Sequence, residues 1–223
     1  MSQIQPVILA GGRSSRFEKG HKALYPWRGV PLIDHVIDNA RMILSPSELW
    51  VSLSRLDNEP KLLEHLQTHS DLVYLEDAPD LEGPAAGLLS AARAAHGRDQ
   101  WLYVMACDMP AVRFEFVAVM AELAAHASPN VSAFVPLHHE GGLPIFEPLH
   151  ALYRAEPLRE ALERAAERGV SSLQRILDDL PGCCALDEPR LDAFDVAWRA
   201  ALTSVNTLDD LETLETLLFR AGA

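Results

Sequence analysis

The sequence contains no apolar run approaching the roughly 20 residues that span a bilayer, so a transmembrane helix is not expected. Met1 to Pro6 supply neither a basic stretch nor a long apolar stretch ahead of Val7-Ile8-Leu9-Ala10, so a secretory signal is not expected either. Cysteine is scarce. Cys107 stands alone and Cys183 and Cys184 are adjacent, which gives neither zinc-ligand spacing nor a paired disulfide framework. Reduced thiols and a cytoplasmic location are the expectation. Positive charge is also short: 19 Lys and Arg stand against 32 Asp and Glu, for a net charge of −13. Such a surface repels polyanions, which sets aside nucleic acid and anionic membranes as main partners. With no internal repeat, linker or low-complexity tract, 223 residues suit one domain covering 1–223.

Short, nearly continuous apolar runs are present at Val7 to Ala10, Leu49 to Leu53, Leu72 to Leu75 and Trp101 to Ala106. Runs of this kind suit strands of a parallel sheet covered on both faces. Segments with helical periodicity separate them. Leu32, Ile33, Val36, Ile37 and Ala40 fall on one stripe behind Pro31, and Ala85 to Ala95 and Phe114 to Ala127 are rich in helix formers. This alternation predicts βαβ units in a three-layer α/β/α architecture with a mostly parallel central sheet. Beyond it, Val131 to Pro136 reads as a strand, and Gly141-Gly142 marks a loop or hairpin reaching Ile145 to Tyr153. Helices are expected at Leu158 to Arg168, at Leu173 to Leu180, and from Thr207 to the end as a surface helix.

The first strand runs directly into Gly11-Gly12-Arg13-Ser14-Ser15-Arg16, with Lys22 six residues further on. In open α/β sheets ligands bind at the carboxyl ends of strands, where loops and helix N-termini present free N–H groups. Two glycines there let backbone approach a phosphate closely, Ser14 adds a hydroxyl, and Arg16 and Lys22 can neutralise phosphate oxygens. The segment from Arg13 to Arg28 carries five cations against the single acid Glu18, so it is a local anion cradle on an acidic chain. Neither the dinucleotide pattern Gly-x-Gly-x-x-Gly nor the P-loop is present. Read alone, a Gly-Gly pair is also an ordinary tight turn.

A longer pattern narrows this. Leu9-Ala10-Gly11-Gly12-x-Ser14-x-Arg16-Phe17, Lys22, and Gly29-x-Pro31-Leu32 together resemble the signature of the molybdenum cofactor guanylyltransferase family, among the Rossmann-like NTP transferases. Asp77 with Gly83-Pro84-Ala85-Ala86-Gly87, Cys107-Asp108-Met109-Pro110, Pro148-Leu149-His150-Ala151-Leu152-Tyr153 and Val205-Asn206-Thr207-Leu208-Asp209-Asp210-Leu211 are similar to further blocks of that family, in order along the chain. There are departures. His21 stands where the family has Asp before the lysine, Phe17 replaces Met, and Ser52 occupies a place where some members carry Asn.

The resemblance implies a Mg²⁺-dependent transfer of GMP from GTP to the molybdopterin cofactor. Arg16, Lys22 and Asp108 would be catalytic, and Asp108 would hold Mg²⁺. Leu9, Ala10, Gly11, Gly12, Ser14, Lys22, Ser52, Asp77, Gly83 and Asp108 would line the nucleotide site. On the residues alone, Asp108 at a strand end could equally be a helix N-cap, and Asp77 ahead of Pro79 could be a turn former. CTP-dependent transfer to the same cofactor, transfer to a sugar or isoprenoid phosphate, and a non-catalytic cofactor chaperone stand as alternatives. A molybdoenzyme or delivery protein is the partner that the resemblance implies. His138-His139-Glu140 reads as an exposed turn, the charged residues of Leu158 to Arg168 as a solvated face, and Trp50, Trp101 and Trp198 as core or interface aromatics.

Overall fold

In the computed structural model, residues 3–11, 21–44, 46–54, 60–98 and 100–222 are described. The strands are β1 (Gln3–Leu9), β2 (Pro26–Trp27), β3 (Val30–Pro31), β4 (Leu49–Leu53), β5 (Leu72–Glu76), β6 (Gln100–Ala106), β7 (Ala133–Glu140), β8 (Leu143–Phe146), β9 (His150–Arg154) and β10 (Cys183–Leu186). The helices are α1 (Leu32–Leu44), α2 (Pro60–Leu66), α3 (Pro84–Ala94), α4 (Phe114–Ala125), α5 (Ala155–Glu167), α6 (Leu173–Asp178), α7 (Glu188–Phe194), α8 (Trp198–Ala201) and α9 (Leu208–Ala221).

One sheet runs in the order β10-β7-β9-β6-β1-β4-β5, with β8 added to β7 as a hairpin. The pairs β6-β1, β1-β4, β4-β5 and β10-β7 are parallel, and β9 lies antiparallel between β6 and β7. The two halves of the sheet therefore share one carboxyl edge, because β7, two strands from β6, points the same way. Strand side chains alternate between two cores. Ile8, Trp101, Tyr103 and Met105 join Val36, Ile37, Phe116 and Met120 on one face. Val7, Leu9, Leu102 and Val104 join Ala85, Leu89, Leu158 and Leu162 on the other. Burial on both faces is the reason β1, β4 and β6 read as continuous apolar runs; β5, expected to be covered likewise, is the edge strand and leaves Val73 exposed.

Several boundaries move. The strand expected from Val131 to Pro136 runs from Ala133 to Glu140, so His138 and His139 are strand residues paired with Ile145 and Pro144, and the turn sits at Gly141-Gly142. The turn reading of His138-His139 is thus corrected: a hairpin partner extends the strand past its apolar part. The last helix is more than a surface helix. Leu214 and Leu218 pack with Trp27, Leu32, Ala111, Ala200 and Val205 in a third, smaller core. The three tryptophans Trp50, Trp101 and Trp198 are buried. The elements β2, β3, α2, β10, α7 and α8 are too short to leave a periodic signal. Among the described residues, no helix is long and apolar enough to cross a membrane.

Candidate functional site

The carboxyl edge of the sheet gathers the ends of β1, β4, β5 and β6. Backbone pairing continues past the strands: Ala10 N donates to Ser52 O at 2.9 Å, Cys107 N to Leu9 O at 3.1 Å, and Asp77 N to Leu53 O at 3.0 Å. These bonds fix the positions from which Gly11, Asp77 and Asp108 emerge. Leu9, Ala10 and Ser52 are buried at this edge, and Ser52 Oγ donates to Asp77 Oδ1 at 2.6 Å. Ser52 thus faces Asp77 and holds it. Burial raises the Asp77 carboxyl above its usual range and nearby Glu76 adds to this, while the Ser52 hydrogen bond works the other way.

Glycine makes this corner possible. A Cβ on Gly11 would stand 2.6 Å from Asp77 Oδ2 and 3.1 Å from Ser54 N; one on Gly87 would stand 3.0 Å from Asp77 Oδ1 and 3.1 Å from Ser52 Oγ. Gly83 caps α3 at φ +60°, with nothing within 4 Å of where a Cβ would point and Pro84 at the first helical position. α3 thus starts without a side-chain cap, and Gly87 in its first turn packs against Asp77 and Ser52.

Asp108 follows β6. The nearest helix begins at Phe114 with Arg113 at its N-cap, so the N-cap reading of Asp108 is excluded. Its carboxylate accepts instead from the Lys22 ammonium and, at 2.6 Å, from Ser204 Oγ. Lys22 Nζ also donates to Asn206 Oδ1 at 2.9 Å, Asn206 Nδ2 donates to Ser204 Oγ at 3.0 Å, and Val205 N donates to Asp108 O at 2.8 Å. Lys22 and Asp108 hence open onto the same site, with the C-terminal segment closing one side of it. Ser204 carried no sequence signal. Asn206 lay in a matched block, yet nothing in the sequence tied it to Lys22.

The lysine rides on a 3₁₀ turn, Lys22–Leu24, whose cap is His21, with Nδ1 accepting from Ala23 N at 3.2 Å. An Asp at this position could accept the same bond. Gly12, Ser14 and Arg16 lie outside the described residues. Arg28 does not join the cradle: it makes a two-pronged pair with Glu215 of α9 at 2.9 and 2.7 Å. Cys107, beside Asp108, is no nucleophile, because burial, followed by the Asp108 charge, pushes its thiol up to about 12.

A second cluster stands away from this edge. His65 Nε2 lies 2.8 Å and His69 Nε2 3.4 Å from Asp34 Oδ1. Arg41 Nη2, 3.1 Å from His69 Nδ1, can only donate there, which puts the His69 proton on Nε2 facing Asp34. That is a polar knot joining α1 to α2 and the turn after it, with no lone pair of His69 left for a metal.

What the arrangement offers is a glycine-lined corner with a carboxylate able to accept from N–H or hydroxyl groups, a cation near it, and a set of hard oxygens beside that cation. The MobA-like NTP transferase domain matches residues 6–183. The chain is 30% identical over 214 residues to the probable molybdenum cofactor guanylyltransferase of Methanosarcina mazei, covering 93% of this chain and 88% of that one. It is 32% identical over 188 residues to the molybdenum cofactor guanylyltransferase of Pseudomonas fluorescens, covering 83% and 86%. Among solved structures, molybdopterin-guanine dinucleotide biosynthesis protein A from Archaeoglobus fulgidus matches with a TM-score of 0.73 at 24% identity, over 97% of this chain and 99% of that one. The bifunctional IspDF from Campylobacter jejuni matches with a TM-score of 0.72 at 13% identity, over 96% and 55%. At these identities the two structures speak for the fold.

Proposed function

The chain belongs to the MobA-like NTP transferase family and, within it, to the molybdenum cofactor guanylyltransferases, and on that footing we propose that it transfers GMP from GTP to the molybdopterin cofactor. A terminal phosphate oxygen of the cofactor attacks the α-phosphorus of GTP in line. The new P–O bond forms as the α–β bond breaks, pyrophosphate leaves, and the guanine dinucleotide form of the cofactor remains. The attacking oxygen is already anionic, so no general base is needed, and the protein's task is positioning and charge neutralisation.

Lys22, together with Arg16, holds the outgoing pyrophosphate. Lys22 neutralises Asp108, and a triphosphate competing for the ammonium would leave the carboxylate to a metal. Gly11, Gly83, Ser52 and Asp77, with Leu9 and Ala10, form the nucleotide corner, and the family pattern assigns Gly12 and Ser14 to the same nucleotide. Transferases of this family typically need a divalent metal. The Asp108 carboxylate and the Ser204 hydroxyl are hard oxygen donors that fit Mg²⁺. Bound there, Mg²⁺ supplies charge neutralisation at the α-phosphate. We read residues 1–223 as one nucleotidyltransferase domain that acts in the cytoplasm and passes its product to a molybdoenzyme or a delivery protein.

The observation that carries this reading is the meeting of Lys22 and Asp108 beside the glycine corner of β1. Its test is pyrophosphate release with cofactor, Mg²⁺ and each NTP in turn. GTP is expected to support release. Release with CTP alone would make the protein a cytidylyltransferase, and no release with any NTP would leave the chaperone reading. Asp108→Ala should lower turnover by roughly 10²–10³-fold or more with the circular dichroism of the fold retained. Unchanged turnover would remove Asp108 from the mechanism.

A further inference from the structure

The carboxyl edge continues past Asp108 into a cleft of about 280 Å³ between the β7-β8 hairpin and the C-terminal helices, with His138, Glu147, Trp198, Arg199 and Thr203 among its walls. We propose that this cleft seats the pterin ring of the acceptor, with the Glu147 carboxylate receiving N–H groups from the amino-oxo-pyrimidine edge. The proposal rests on the guanylyl-transfer reading above and names where the acceptor's far end lies.

Position is the first argument. Ala106 N donates to Leu149 O at 3.0 Å, which sets the segment entering β9 against the end of β6. Glu147 stands two residues before that contact, and its own N–H donates to Pro136 O at 2.9 Å. Thr203 lines the cleft, and its neighbour Ser204 donates to Asp108. The cleft and the Lys22–Asp108 pair therefore adjoin through two consecutive residues. The nucleotide corner lies on the opposite side of Asp108, toward β1, β4 and β5, as an in-line reaction between two ligands requires.

Chemistry is the second. Glu147 Oε1 is held by His138 Nε2 at 2.9 Å, whereas no described residue donates to Oε2. The side chain is 20% exposed and lines the cleft. A carboxylate fixed at one oxygen and open at the other is an acceptor for a ligand with adjacent N–H donors, which the 2-amino-4-oxo edge of a pterin carries. The floor is flat: the Arg199 guanidinium lies 4.1 Å from the Trp198 ring centroid, and Glu188 holds it there at 2.9 Å. Such a stacked plane suits a planar ring. Glu147 and Glu188 stand against the single guanidinium of Arg199 in walls that also hold His138 and His139, so the cleft offers a triphosphate no surplus of fixed positive charge and leaves the phosphate end of the acceptor to Lys22.

The test is kinetic and direct. Glu147→Gln keeps the shape but replaces one carboxylate oxygen with an NH₂ donor. It should raise the KM for the molybdopterin acceptor at least about tenfold, with the KM for GTP and kcat at saturating acceptor within about twofold of the parent. Fluorescence titration with neopterin monophosphate should show the same loss in the absence of GTP, and inorganic phosphate at equal concentration should not reproduce the Glu147-dependent signal. Should Glu147→Gln fail to fold, Glu147→Asp, which withdraws the charge by one methylene, gives the same readout. An unchanged acceptor KM and unchanged pterin titration in a folded variant would overturn the proposal, as would an equal rise in the KM for GTP. A parent protein that releases no pyrophosphate from GTP would instead sink the guanylyl-transfer reading, and the pterin titration distinguishes the two failures.

Discussion

Lys22 and Asp108 are 86 positions apart, and they meet because β1 and β6 are paired neighbours whose ends lie level, Leu9 against Ala106. Replacing Lys22 with Ala leaves an acid that is 11% exposed without its ion-pair partner and, on the proposed role, leaves a triphosphate with one counter-charge fewer. We expect kcat/KM to fall by roughly 10²–10³, read by steady-state pyrophosphate release; a change below tenfold would argue against the role given to Lys22. Gly11→Ala tests the nucleotide corner. Its Cβ would stand 2.6 Å from Asp77 Oδ2, so the carboxylate must move. The KM for GTP should rise about tenfold, or ~1.4 kcal/mol, with kcat changed much less. At this scale Gly11, Lys22, Asp77 and Asp108 were legible because each follows a strand run or a glycine signal that marks the carboxyl edge. Ser204 and Asn206 were not, since a hydroxyl and an amide in an aperiodic segment acquire a role only from what they touch.

The element that decides their placement is α9. Thr207 and Asp210 form a capping box, and Asp210 Oδ2 accepts from both Asn206 N and Thr207 N at 2.7 Å. The cap that starts the helix thus also fixes the backbone of Asn206, the residue that meets Lys22. Thr207→Ala should cost about 1 kcal/mol of stability, seen as a lower denaturation midpoint. A several-fold loss in kcat should accompany it. A full stability loss with unaltered kcat would separate the cap from the site. The box was visible as Thr207 ahead of two acids. Its reach into the site was not, because what α9 packs on is set by Trp27, Ala111 and Val205, contributed by other parts of the chain. The same holds for β7. Its outer half is polar, so only pairing with β8 shows that His138 lies in a strand facing Glu147.

Across the whole molecule the antiparallel strand β9 joins the half of the sheet that carries β6, β1, β4 and β5 to the half that carries β7 and β10. It also buries an ionisable group. His150 is fully enclosed, with Nε2 2.9 Å from Tyr103 Oη, and burial pushes its pKa down to about 3. Below about 6.5, the ordinary value, the unfolded chain takes up a proton that the folded one refuses. The stability this group contributes is thus whole above that pH and lost as pH falls toward 3, at ~1.4 kcal/mol per pH unit. His150→Gln keeps a polar partner for Tyr103 and cannot take the charge. Its stability deficit relative to the parent should therefore shrink between pH 7 and pH 4 in urea denaturation; a deficit constant with pH would place the acid sensitivity elsewhere.

The amino-acid sequence by itself determined the covered parallel strands, the helices between them and the glycine that follows the first strand, because burial on both faces and glycine at a strand end are local and periodic demands. Tertiary structure alone decided that Arg28 turns to Glu215, that Ser204 and Asn206 complete the Lys22–Asp108 site, and that Glu147 stands in a cleft beside it. Each of these depends on which distant segments the packed sheet brings within hydrogen-bond reach. No spacing along the chain encodes that distance.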